Sequence, residues 1–127
     1  MTSKQYLYAA LIWSVIIMVV VGIPGNQIPK VSHFIDLLQP DKIVHIGLFA
    51  PFSFLWINYF RHKINSIKIS VLLVGFIGIV YASTTELLQV YVFIGRSGNF
   101  PDAIADFIGA IIGITYFIKK TNKKTKY

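Results

Sequence analysis

The sequence contains no cysteine. That excludes disulfides, thiolate-based zinc sites and cysteine catalysis. Charge is also scarce, at 13% of residues against 55% hydrophobic, with a mean hydropathy of +0.66. A soluble domain of 127 residues needs more charge than this to cover its surface. Acid is scarcest of all, five residues against twelve basic ones. The resulting net charge of +7 does not mark a nucleic-acid surface, because five of the twelve Lys and Arg residues crowd into the last nine positions. A DNA or RNA surface interleaves basic residues with exposed aromatics, whereas a lysine tail suits anionic headgroups beside a membrane. No internal repeat and no metal-binding spacing such as HExxH is present, so no cofactor or bound metal is predicted, although Asp41, His45, Glu86 and Asp106 are residue types that can hold a divalent ion together.

What the sequence does have is long apolar runs. Residues 6–23, YLYAALIWSVIIMVVVGI, carry no charge and end on Gly22, Pro24 and Gly25. The run is long enough to span a bilayer. It is too long for the apolar part of a signal peptide and no A-x-A-like site follows it, so an uncleaved first helix is expected. Residues 43–60 form a second span, opened by Pro40 and Asp41 and interrupted by Pro51, where a kink is expected. Trp56 and Tyr59 fall near its far end, as interfacial aromatics do. Residues 69–93 form a third span, apolar in its first half and polar in its second, and residues 103–118 a fourth, opened by Pro101 and Asp102. Between the first two spans, Val31, Phe34, Ile35, Leu37 and Leu38 can give one apolar face, so a short interfacial helix competes with an ordered loop there. The expected architecture is a single all-α domain over residues 1–127, a compact bundle of four transmembrane helices.

Orientation follows from lysine and arginine. One side carries Lys4, Arg61, Lys63, Lys68 and the five tail lysines, and the other carries Lys30, Lys42 and Arg96. The positive-inside rule then places both termini in the cytoplasm, with loops 24–42 and 95–102 outside. In that topology Asp36, Asp41, Glu86, Asp102 and Asp106 all lie at or toward the outer face, together with His33 and His45. The cytoplasmic side has no acid.

Helical spacing sharpens the gathering. Asp41 and His45, and likewise Asp102 and Asp106, are four residues apart, while Glu86 and Gln89 are three apart with Thr85 alongside. Each pair can share one helix face. Glu86 lies roughly 10–14 Å inside its span, where an ionisable group faces the bundle interior or a wet cavity. Its candidate cationic partners are Arg96, Lys42 and His45. Structural explanations stand beside functional ones throughout. Asp41 and Asp102 suit the first turn of a helix, Glu86 can fix packing through an ion pair, and His45 can make a structural hydrogen bond to Asp41 or Glu86. Gly109 and Gly113 form a small-xxx-small pattern for close helix packing. Thr84 and Thr85 can bond back to their own helix.

The order DKIVH at 41–45, TELLQ at 85–89 and GRSGNFPDAIADFIGAIIG at 95–113 resembles the VanZ-like membrane protein family over the last three helices. That family shows Asp-Lys-x-x-His opening one helix, then Glu-x-x-Gln, then an Arg after a short turn, then Asp-x-x-x-Asn-x-x-Gly opening the last helix. The resemblance marks Asp41, Lys42, His45, Glu86, Gln89, Arg96, Asp102 and Gly109. Asp106 stands where the family usually has Asn, and Phe49 where it often has Tyr. The resemblance implies a bacterial inner-membrane, multi-pass envelope protein, and a named member is linked to low-level resistance to teicoplanin.

Three functions fit these residues. The first is a binding or accessory protein whose polar pocket, formed by Asp41, Lys42, His45, Glu86, Gln89, Arg96, Asp102 and Asp106, takes an anionic lipid headgroup or a lipid-linked envelope precursor. The second is a membrane-embedded hydrolase or transferase acting on a phosphate-bearing lipid, with Glu86, His45 and Asp106 as catalytic candidates; Ser97 is only a loop serine. The third is a proton-coupled transporter, for which a four-helix chain must form a homo-oligomer.

Overall fold

The computed structural model describes residues 1–24, 40–95 and 100–124. The Arg96 and Ser97 expectations lie outside these residues, as do Lys30, His33, Asp36 and the interfacial helix near 31–38. Four α-helices account for nearly all of the described chain: α1 (Ser3–Val21), α2 (Pro40–Lys63), α3 (Ile67–Tyr91) and α4 (Phe100–Lys124). Each is long and apolar enough to cross a membrane.

The helix ends explain why these spans outrun the apolar runs. α1 begins before its first apolar residue because Thr2 and Gln5 form a reciprocal capping box, Thr2 N donating to Gln5 Oε1 at 2.7 Å and Gln5 N to Thr2 Oγ1 at 3.3 Å. That box satisfies two of the donors a helix start leaves open. α2 begins on Pro40, which has no N–H to lose in a first turn. Ser66 caps α3 through a bond from Ile69 N at 3.4 Å. At its other end α3 stops at Tyr91, two residues short of the expected limit, where Val92 N and Phe93 N both turn back to Leu88 O. The backbone of α4 continues six residues past Ile118 into the lysines. Lysine is a good helix former and suits a helix C-terminus.

α2 is the central helix. It packs against α1, α3 and α4, most extensively against α4. The α2–α4 seam is set by Gly109 and Gly113. A Cβ on Gly109 would sit 2.6 Å from Ile46 O and 3.0 Å from Phe49 Cβ. One on Gly113 would collide with Ala50 O and Ser53 Oγ. Only glycine allows the backbones so near each other. Ser53, fully buried, exploits that approach and donates to Ala110 O at 2.9 Å.

α1 and α3 are tied in by polar atoms at the ends of large side chains. Trp13 Nε1 donates to Leu48 O at 2.8 Å. Tyr81 donates from its hydroxyl to Ser14 O. Leu48 lies in the turn before Pro51, which the helix absorbs without ending. Pro51 removes the helical donor of Gly47 O, four residues back, and pushes on that turn, so the Trp13 bond falls on the carbonyl next to the opened one. Ile17, Val21, Phe49, Phe52 and Ala82 form one buried cluster, and Ile57, Val74 and Phe117 a second. The Phe52 and Tyr81 rings stack at 5.0 Å. Outward faces carry Val15, Leu72, Phe76, Ile79 and Ile111, all exposed. An apolar exterior around polar interior residues is the arrangement a bilayer requires.

A candidate polar site at one end of the bundle

α2 begins, α3 ends and α4 begins at the same end of the bundle, and their polar residues meet there. His45 lies one turn into α2 and Asp106 one turn into α4. The His45 Nδ1–H donates to Asp106 Oδ1 at 2.8 Å. Both side chains are fully buried, His45 at 1% exposure and Asp106 at 0%. The second Asp106 oxygen, Oδ2, is buried and has no hydrogen-bond partner among the described residues. Glu86 approaches from α3, so that His45, Glu86 and Asp106 can each contribute one ligand atom to a triad whose atoms lie within 4.8 Å of one another.

A second triad shares His45. Asp41, His45 and Asp102 bring ligand atoms within the same 4.8 Å limit. Here Asp102 is buried and Asp41 exposed. Lys42 Nζ stands 3.8 Å from Asp102 Oδ1, and its side chain remains 32% exposed. The site therefore grades from a fully buried pair, His45 and Asp106, to a half-buried lysine at the rim.

The glycine seam is the local cause of this geometry. Asp102, Asp106, Gly109 and Gly113 follow one another at spacings of four, three and four on α4, one face of a helix. The face that closes onto Ile46 and Ala50 thus carries Asp106 to His45, one residue before Ile46. A family profile described as VanZ/LLP1 matches residues 6–120. The chain belongs to the VanZ/LLP1 family. That match covers nearly the whole chain, including α1, which the motif resemblance left out. No curated protein and no solved structure matched the chain.

The marked residues of this VanZ/LLP1 chain divide as follows. Asp41, Lys42, His45, Glu86, Asp102 and Asp106 come together. His45 hydrogen-bonds to Asp106, where the spacing suggests Asp41 or Glu86, and Lys42 lies against Asp102. Gln89 is buried on α3 and its Nε2 donates to Val21 O at 3.2 Å, so it ties α3 to α1. Thr85, also buried, donates to Ala82 O one turn back, and Thr84 to Val80 O. Sequence reasoning missed Trp13, Ser53 and Tyr81 as interhelical donors. The available signal was a polar atom on an otherwise apolar helix, which must find a partner inside a membrane.

Proposed function

We propose that this VanZ/LLP1 protein binds the anionic headgroup of a membrane lipid, or of a lipid-linked envelope precursor, at the polar end of its bundle. The carrying observation is the cluster of buried His45 and Asp106 with half-buried Glu86, and Lys42 half-exposed at its rim. Ionisable groups inside a membrane bundle are costly and mark ligand or ion sites. Lys42 supplies an ammonium for a phosphate oxygen, and Arg96, one residue past the described end of that segment, is the expected second cation. His45 and the carboxylates orient the hydroxyl or amine donors of the headgroup. Lysine and arginine distribution puts this end outside the inner membrane of a bacterium and both termini in the cytoplasm. There the protein contributes to glycopeptide resistance by altering how teicoplanin meets its envelope target.

The test is a lipidomic comparison of cells with and without the gene, repeated with Glu86→Gln, alongside native mass spectrometry of the purified protein. The expected result is co-purification of one anionic lipid class that Glu86→Gln and Lys42→Ala both reduce. Equal recovery of all lipid classes by wild type and variants refutes the proposal. Teicoplanin susceptibility that is unchanged by deletion removes the resistance part alone.

A second reading is favoured by the 2.8 Å His45–Asp106 contact. A carboxylate that holds one imidazole nitrogen leaves the other to take a proton from water or a hydroxyl. Glu86 is then the nearby acid, and the reaction is transfer or hydrolysis at a phosphate-bearing lipid. Phosphorus NMR of purified protein with phospholipid vesicles reads this directly. The enzyme reading requires turnover that His45→Ala abolishes at normal abundance.

A further inference from the structure

We propose that His45, Glu86 and Asp106 form a binding site for a divalent transition-metal ion. Three helices each supply one ligand atom, all within 4.8 Å of one another. Metal–nitrogen and metal–oxygen bonds of about 2.0–2.2 Å place two ligands of one ion at most about 4.4 Å apart. The triad is therefore of the size that can close on a single ion. The His45 Nδ1 and Asp106 Oδ1 separation of 2.8 Å already matches two neighbouring ligands at about a right angle.

The independent sign of a ligand is Asp106. Its side chain is completely buried, His45 takes one oxygen, and Oδ2 has no hydrogen-bond partner among the described residues. A buried carboxylate oxygen without a donor is expensive. Here it belongs to a cluster in which a second carboxylate, Glu86, lies close by in a low-dielectric interior. A cation gives Asp106 Oδ2 the partner that the described residues do not, with Glu86 close enough to join as a second carboxylate ligand, and the proton between His45 and Asp106 leaves when it binds.

The donor set selects the metal. One imidazole and two carboxylates suit manganese or zinc, while calcium prefers six to eight oxygens and copper(I) prefers sulfur. Asp41 and Asp102 mark the way in. They form the second triad around His45, and Asp41 is exposed, so an ion meets carboxylates from the rim to the buried position. A bound ion also offers an anionic headgroup a coordination position, although the metal site does not depend on that ligand.

The experiment uses full-length protein purified in detergent, stripped with chelator and titrated with Mn²⁺ in the absence of added lipid. Electron paramagnetic resonance reads free and bound ion. The expected result is one Mn²⁺ per chain with a nitrogen hyperfine coupling from a single imidazole. Glu86→Gln and Asp106→Asn each weaken binding by about 100-fold or more, at least the loss typical when a residue that only supports a metal ligand is changed. Thr84→Ala, on the exposed face of α3, leaves it unchanged. No stoichiometric binding by wild type overturns the proposal, and so does bound Mn²⁺ without a nitrogen coupling. Binding that survives both carboxylate variants does the same. The wild-type nitrogen signal decides the matter even if a variant fails to fold. Failure of the lipid proposal leaves this titration untouched.

Discussion

The glycine seam can be tested as a graded series. Alanine at Gly109 puts a methyl 2.6 Å from Ile46 O, a backbone atom that cannot swing aside. At Gly113 the methyl meets both Ala50 O and Ser53 Oγ. Alanine at Gly78 meets only Ala110 Cβ at 3.9 Å, an ordinary contact, and at Gly75 or Gly47 it meets nothing within 4 Å. Overpacking a tight interior costs about 1–3 kcal/mol. At Gly113 the displaced Ser53 also loses its bond to Ala110 O, adding about 0.6 kcal/mol at the average for interhelical membrane bonds. The opposing gain is alanine's helix propensity, about 1 kcal/mol over glycine in water. Membrane-protein helices stay largely helical when the bundle comes apart in detergent, so little of that gain survives in the difference. Gly109→Ala is expected to lose about 1–3 kcal/mol and Gly113→Ala slightly more. Gly78→Ala, Gly75→Ala and Gly47→Ala should stay within about 0.5 kcal/mol of wild type or gain slightly. Unfolding in mixed micelles of increasing denaturing detergent measures all five. If Gly109→Ala and Gly113→Ala unfold with Gly75→Ala, the close approach of α2 and α4 is not what holds this bundle.

Three further outcomes follow from the contacts. A double-mutant cycle on His45→Ala and Asp106→Ala should give a coupling of about 1.5–3 kcal/mol, the range for a hydrogen bond to a charged group; coupling below the error of the same micelle assay refutes the buried pair. Trp13→Phe keeps the ring but removes the donor to Leu48 O, so stability should fall by about 0.5–1.5 kcal/mol, and a neutral result means another donor serves that carbonyl. Reporter fusions after Arg61 and after Lys124 should both score as cytoplasmic; a periplasmic score at Arg61 reverses the orientation and turns the polar end of the bundle inward.

The sequence carried the helices and most of one end of the bundle, for a physical reason. Apolar runs of about twenty residues report the bilayer thickness directly, and ionisable residues are so costly among them that each is informative alone. Asp41, His45, Glu86, Asp102 and Asp106 could be grouped by depth on that ground. Depth says nothing about rotation around each helix axis, so partner choice was not legible. Glu86 had three candidate cations, and no spacing rule assigns His45 to Asp106 across 61 positions. The helix ends were not legible because hydropathy sees span and not cap. Thr2 and Gln5 extend α1 through backbone donors, which an apolar run does not register. Gln89 was grouped with Glu86 by spacing, but three residues leave an offset of about 60° around the helix. That rotation carries the Gln89 amide to Val21 O on α1.

The rotation that sequence lacked is supplied by the glycines. Gly109 and Gly113 admit the α2 backbone on one side of α4 only, so they fix which face of α4 meets α2. Asp106 is three residues before Gly109 and Asp102 four before Asp106, hence both acids are carried onto the α2 interface and lie against His45 and Lys42. A bulky residue at 109 would therefore act on the polar site as well as on stability. It would separate two helices whose spacing sets the 2.8 Å His45–Asp106 contact. This couples two readings that the sequence treated as separate, a packing motif and a chemical cluster. The same small residues that let α2 and α4 approach so closely also hold Asp106 against His45.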